Sequence, residues 1–124
     1  MDLGINNKIA LVCASSQGLG LACATALARE GASVVINGRN QERLDKAIAD
    51  IKSKTGAKVK SILADIATEA GRQTIFDACP NPDILINNNA GPAPGQLSDW
   101  NHDAWINALE SNMLAPILLI RGYV

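Results

Sequence analysis

A chain of 124 residues with 48% hydrophobic and 19% charged side chains reads as one globular domain rather than a disordered segment. Its 11 Lys+Arg against 12 Asp+Glu leave a net charge of -1, which argues against a basic surface for nucleic acid or an anionic membrane. Aromatic residues make up only 3%, so platforms for stacking single-stranded bases are scarce.

The first element is an apolar run over residues 8–13 (KIALVC), the length of a buried parallel strand. Residues 18–30 follow as a helix with Leu19, Cys23, Ala26 and Leu27 at helical spacing, and Gly31 is a natural terminator. Residues 33–37 (SVVIN) predict a second buried strand. Asn40 is a helix cap, and the helix it opens carries Leu44, Ala47, Ile48 and Ile51 on one face, with Lys54 in its last turn and Gly56 beyond. Residues 58–63 alternate and predict a strand nearer an edge. Thr68 caps a third helix over 69–78, stopped by Pro80 and Pro82. Residues 84–87 are the fourth strand and 91–95 (GPAPG) a loop. Asn101 then caps a long helix with Trp105, Leu109, Met113 and Leu114 on one side.

This βαβαβαβα order predicts an α/β fold: a Rossmann-like, doubly wound parallel sheet with right-handed crossovers and helices on both faces. Ligands of such sheets bind beyond the carboxyl ends of the strands, so the informative residues are those just after each strand. Cys13, Cys23 and Cys79 with the single His102 fit no metal pattern. Cys13 and Cys23 read as small buried side chains, and His102, beside Asp103, as solvated. Trp100 and Trp105 read as packing residues. The start of the chain lacks the look of a secretory leader, and the apolar stretch 113–120 is short and interrupted by Pro116. A cytoplasmic, reducing location is therefore expected, with no membrane contact.

After the first strand, Gly18 and Gly20 open the helix in the run Ala14-Ser15-Ser16-Gln17-Gly18-Leu19-Gly20. Without a Cβ they let a pyrophosphate approach the backbone, and the helix N-terminus offers it unpaired N–H groups. Ser15 and Ser16 add hydroxyl donors. An ordinary glycine turn would also contain two glycines; the placement between a buried strand and an Ala-rich helix favours the phosphate reading. The spacing is not that of a P-loop. After the second strand, Asn37 is followed by Gly38 and Arg39, and no acid occurs before Glu42. An acid here binds both ribose hydroxyls of NAD, whereas Arg39 can pair with a 2′-phosphate, so NADP is favoured over NAD. The alternative is that Arg39 is a solvated loop residue. After the third strand, Asp65 can accept from an adenine amino group and Ile66 can lie against the ring, although Asp65 also suits a turn. After the fourth, Asn88 and Asn89 can tie strand ends together below a cofactor, with Ala90 next, in a run that also suits a plain turn.

Together these residues resemble the short-chain dehydrogenase/reductase family. Its Thr-Gly-x-x-x-Gly-x-Gly pattern is matched by residues 13–20, with Ala14 at the first glycine; the change is costly if that residue needs φ > 0. Its acid after the third strand is matched by Asp65, and its Asn-Asn-Ala-Gly motif by residues 87–90 if anchored on the strand, or 88–91 if anchored on the letters. The strand anchoring is favoured. The family's helical Asn is matched by Asn112, which the resemblance makes part of the catalytic machinery through a supported water. The nearest look is to bacterial 3-oxoacyl-carrier-protein-reductase-like members. The resemblance implies hydride transfer between NADPH and a carbonyl/alcohol or acyl-carrier substrate, and a homo-oligomer formed through the helix 101–121. It also implies a catalytic Ser and a Tyr-x-x-x-Lys pair that this sequence does not contain; its one tyrosine, Tyr123, has no Lys after it. The expectation is therefore one domain over 1–124, an incomplete NADP-binding half that is inactive alone. The alternatives are a catalytically silent dinucleotide-binding module, or a truncated product without a stable fold.

Overall fold

The first apolar run folds as β1 (Ile9–Val12) in a computed structural model that describes residues 2–124. It is followed by α1 (Gly18–Arg29), β2 (Ser33–Gly38), α2 (Gln41–Thr55), β3 (Val59–Leu63), α3 (Glu69–Ala78) and β4 (Ile84–Ile86). The strands form one parallel sheet in the order β3-β2-β1-β4, with Val12 paired to Ile36 on one side and to Ile86 on the other. The doubly wound α/β fold is thus present, with β3 at an edge as its alternating pattern indicates.

Alternation along β1 sorts the core into two layers. Ala10 and Val12 face α1 and α2, where they meet Ala24, Ala28, Leu44 and Ile51. Leu11 and Cys13 face the opposite side, with Ile62, Ile75, Cys79, Ala115 and Leu119. Full burial of each large side chain stabilises by roughly 1.5–3 kcal/mol, and both faces of the sheet contribute. Three caps are as the sequence indicates: Asn40 accepts from Arg43 N at 3.0 Å, Thr68 from Gly71 N at 2.9 Å and Asn101 from Ala104 N at 2.9 Å.

Two expectations are corrected. The buried residues of α1 are Gly20, Ala24, Thr25 and Ala28, one position on from the expected stripe, and Leu19 is 80% exposed. Cys23 is accordingly exposed rather than buried. The helix lies close to the sheet, so small side chains form its central contact; Leu21 and Leu27 pack partly buried at its flanks, and Leu19 turns outward. The long helix after Asn101 is present but is not α-helical throughout. It is α4 (His102–Leu109), a wide π-type turn (Glu110–Leu114) and α5 (Ala115–Tyr123). Pro116 accounts for part of this widening, since it brings no N–H to the ladder. A further 3-10 turn, Leu97–Asp99, precedes α4.

The remaining aromatic residues pack. Trp100 and Trp105 meet edge to face at 5.8 Å, and Phe76 and Tyr123 at 5.0 Å. Trp100 Nε1 also donates to Ala93 O at 3.2 Å, closing the 91–95 loop onto α4's approach. The His102 side chain is 85% exposed, 3.7 Å from Asp103. Among the described residues, no helix is long and apolar enough to cross a membrane.

Candidate functional site

The carboxyl ends of all four strands open into one cleft of about 550 Å³. Its floor is built on Ala14, the residue at which β1 turns toward α1. Ala14 has a φ of 46°, in the left-handed region where a methyl group is strained. Its peptide is held from both sides. Ala14 N donates to Asn37 Oδ1 at 3.2 Å, and its carbonyl accepts from Asn88 Nδ2 at 3.0 Å.

Asn37 is buried and its amide is fully engaged: beyond Ala14, its Nδ2 donates to Ile62 O at 3.1 Å and Ala64 O at 3.0 Å. It stitches β2 to β3 and to the β1 turn, beneath the cleft. Ser15 differs from expectation. Its hydroxyl donates to Val12 O at 2.6 Å and accepts from Asn37 N at 3.0 Å, in a fully buried position. It is a fastening of the turn and not a free donor in the cleft. Ser16, by contrast, lines the cleft.

Gly18 and Leu19 reach the cleft from the first turn of α1, and Gly18 takes a φ of 59°. Gln17, the N-cap residue of α1, makes no side-chain cap bond, so this helix start leaves its N–H groups for an anion in the cleft. Gly20 lies beneath. A Cβ there would collide with the Ala14 carbonyl and stand 2.9 Å from Asn88 Nδ2. The glycine is what lets helix, turn and Asn88 close together.

On the β2 side, Arg39 lines the cleft, joined by Arg43 from α2. Arg43 was not singled out from the sequence; the signal was its place three residues after the Asn40 cap, which puts it in the helix turn nearest the strand ends. Asp65 and Ile66 line the cleft after β3. Asp65 Oδ1 accepts from Ala67 N at 3.0 Å, while Ile66 is only 3% exposed and packs chiefly into the core with Ile62 and Ile75. Ile66 thus offers far less surface to a ring than its position in the sequence suggests.

After β4, Asn88, Asn89 and Ala90 complete the cleft. Asn89 Nδ2 donates to Ser111 O at 3.1 Å. In the wide turn Ala115 N donates back five residues to Glu110 O, and the next donor in that pattern is Pro116, which has none. Asn89 supplies the missing partner. A second cavity of about 300 Å³ adjoins, lined by Arg39, Asp65, Asn89, Ala90 and, from the helix, Asn107 and Glu110. Neither Asn107 nor Glu110 carries a sequence signal for it.

Asn112 is not brought to the cleft. It donates to Ala108 O at 3.1 Å and lines a smaller cavity of about 240 Å³ beside the 91–95 loop. Nor is Tyr123 free for proton transfer: its hydroxyl donates to Cys79 O at 2.7 Å. Burial, then the neighbouring Cys79 and Cys13, push its pKa well up.

The family model described as short chain dehydrogenase matches residues 8–124. The chain is 38% identical over 125 residues to the uncharacterized oxidoreductase YvaG of Bacillus subtilis, covering 100% of this chain and 47% of that protein. The L-sorbose reductase of Gluconobacter frateurii, solved with NADPH and L-sorbose, superposes with a TM-score of 0.90 at 32% identity, over 99% of this chain and 48% of that one. A candidate betaketoacyl-ACP reductase superposes with a TM-score of 0.84 at 28% identity, over 96% and 48%. The chain spans about half the length of the relatives it matches.

Proposed function

The chain belongs to the short-chain dehydrogenase family, and from that premise we propose that it is the NADP-binding half of an oxidoreductase acting on a carbonyl or alcohol. The observation that carries this is the single cleft to which the glycine turn, Arg39, Asp65 and Asn88–Ala90 all contribute. NADPH bound there would supply a hydride to the substrate carbonyl.

The residues fit such a cofactor. Gly18 and Leu19 take the pyrophosphate against the N–H groups of α1, and Ser16 adds a hydroxyl. Asp65 accepts from the adenine amino group, with Ile66 giving a small apolar contact. Asn88, Asn89 and Ala90 carry the inner wall, and Asn37 and Ser15 hold the floor from below. Arg39 supplies a positive charge where an NAD-binding enzyme carries an acid, which supports NADP over NAD. The NADPH complex of the similar L-sorbose reductase supports the same reading.

Asn112 keeps the supporting catalytic role that the resemblance implies, exercised from the wide turn rather than from the cleft. Substrate is taken to be a small carbonyl compound or an acyl-carrier thioester. Free Cys13, Cys23 and Cys79 support a reducing, cytoplasmic location. The exposed apolar side chains Trp105, Leu109, Met113, Ile117 and Ile120 support association of copies through α4 and α5.

Titration calorimetry with NADPH, NADH and buffer alone tests the proposal. Saturable binding with NADPH tighter than NADH is expected. A folded protein that takes up neither at millimolar cofactor overturns it.

A further inference from the structure

The loop that carries the chain from β3 into α3 is held by a set of short-range bonds. Asp65 O accepts from Thr68 N at 3.1 Å and from Thr68 Oγ1 at 2.9 Å, and Thr68 Oγ1 accepts in turn from Gly71 N at 2.9 Å. Gly71 is buried against this loop, where a Cβ would collide with the Asp65 carbonyl. One contact stands apart from this capping. Arg72, half-buried in the first turn of α3, reaches back six residues, and its Nη1 donates to Ile66 O at 2.9 Å. The ion pairs of the described residues are Lys54–Asp50 and His102–Asp103, so this guanidinium holds a main-chain carbonyl rather than a carboxylate.

Ile66 O and Ala67 N belong to one peptide unit, which is planar and turns as a body. Arg72 holds its carbonyl end. Its N–H end donates to Asp65 Oδ1 at 3.0 Å. The arginine is thus joined to the carboxylate through a single rigid group, and a cation on the carbonyl polarises that group so that its N–H donates more strongly. Asp65 lines both the cleft of about 550 Å³ and the adjoining cavity of about 300 Å³, whereas Arg72 lines neither. Among the described residues no donor engages Asp65 Oδ2. The carboxylate therefore has one oxygen left for a ligand, and the direction of that oxygen is set by the peptide that Arg72 grips. A carboxylate oxygen only accepts, so it distinguishes an amino group from a carbonyl at the same place on a ring.

We propose that Arg72 is a positioning residue for base selection: acting through the Ile66–Ala67 peptide, it aims Asp65 at the 6-amino group of a purine and so favours a 6-aminopurine over a 6-oxopurine dinucleotide. This rests on the cleft being a dinucleotide site with Asp65 on the base. Its distinct content is that a side chain on α3, outside the cleft, controls how sharply the base is read.

The test is calorimetric titration of the full 124-residue chain with NADPH and with its reduced hypoxanthine analogue, which differs only in carrying oxygen for the 6-amino group. The unaltered chain is expected to favour NADPH by about tenfold, the discrimination of one hydrogen bond to a charged group. In Arg72→Met the ratio should fall below about threefold, and Arg72→Lys, which keeps a charged donor for the Ile66 carbonyl, should restore most of it. Arg72→Gln, which keeps a polar but shorter side chain, gives the same reading if the Met variant fails a circular-dichroism check of folding. Asp65→Asn should abolish or reverse the preference, because its amide can donate to the 6-oxo oxygen. A merely structural role for Arg72 would weaken both ligands by one factor. An unchanged ratio in Arg72→Met or Arg72→Gln therefore overturns the proposal and leaves the NADP reading standing, as does equal binding of both compounds by the unaltered chain. Binding of neither compound overturns the proposal and that reading together.

Discussion

The side-chain amide of Asn88 donates to the carbonyl of Ala14 at 3.0 Å, so a residue after β4 holds the left-handed turn that ends β1. The Ala14 methyl is strained at a φ of 46°, a cost of about 1–2 kcal/mol in that region. Ala14→Gly removes the strain and adds about 0.4–1 kcal/mol of unfolded-state entropy to be overcome. A net gain of about 0.5 kcal/mol is expected, read as a higher urea midpoint with an unchanged slope. A lower midpoint would show that the methyl contributes packing that outweighs its strain.

Asn89 and Pro116 form a coupled pair through Ser111. Asn89→Ala leaves the Ser111 carbonyl without its side-chain donor and should cost about 1–2 kcal/mol. In a Pro116→Ala background the returned N–H can take over part of that role, so the same substitution should cost less. A double-mutant cycle measures this directly; additive effects would mean the two residues act independently.

Gly20 admits no side chain. In Gly20→Ala the new Cβ meets the Ala14 carbonyl and Asn88 Nδ2, forcing α1 off the sheet and opening the cleft floor. The expected result is loss of at least about 2 kcal/mol of stability together with weaker nucleotide binding. Wild-type melting and binding would show that the helix can move away at little cost.

Arg39→Asp replaces a cation in the cleft by an anion. It should weaken NADPH binding at least tenfold while leaving NADH binding equal or improved, because the acid repels a 2′-phosphate and can accept from the free ribose hydroxyls. Titration with both cofactors decides; an unchanged ratio removes Arg39 as a discriminator.

The thiols divide by burial. One equivalent of a soluble disulfide reagent, at Cys23, should react with the native chain and three after denaturation. Burial, and secondarily Cys79, pushes the Cys13 thiol up to about 12, from an ordinary value of 9.0. The folded chain therefore keeps a proton that the unfolded chain releases. The stability linked to this group is complete below about pH 9 and is lost as pH rises toward 12. Urea midpoints across that range should fall, and less steeply in Cys13→Ala. An identical slope in the variant would assign the fall to other groups.

Much of this protein is legible in its sequence because the deciding forces are local. Apolar runs of strand length, the caps Asn40, Thr68 and Asn101, and the breaks at Gly31, Gly56 and Pro80 set each element within a residue or two, and alternation of these elements dictates a parallel sheet. The residues after each strand do gather, since parallel strands all end on one side. What each side chain does there depended on partners far away in the chain. Ser15 and Asn37, 22 residues apart, spend their polar atoms on each other and on backbone, which no pattern within either segment reveals. The close seat of α1 turned Cys23 and Leu19 outward, Pro116 and Asn89 stand at a π-type widening inside a helix that reads as regular, and the start of α2 brought Arg43 into the cleft. Local propensity and periodicity determined the elements. Steric fit and hydrogen-bond satisfaction between distant segments decided which polar groups remained free for a ligand.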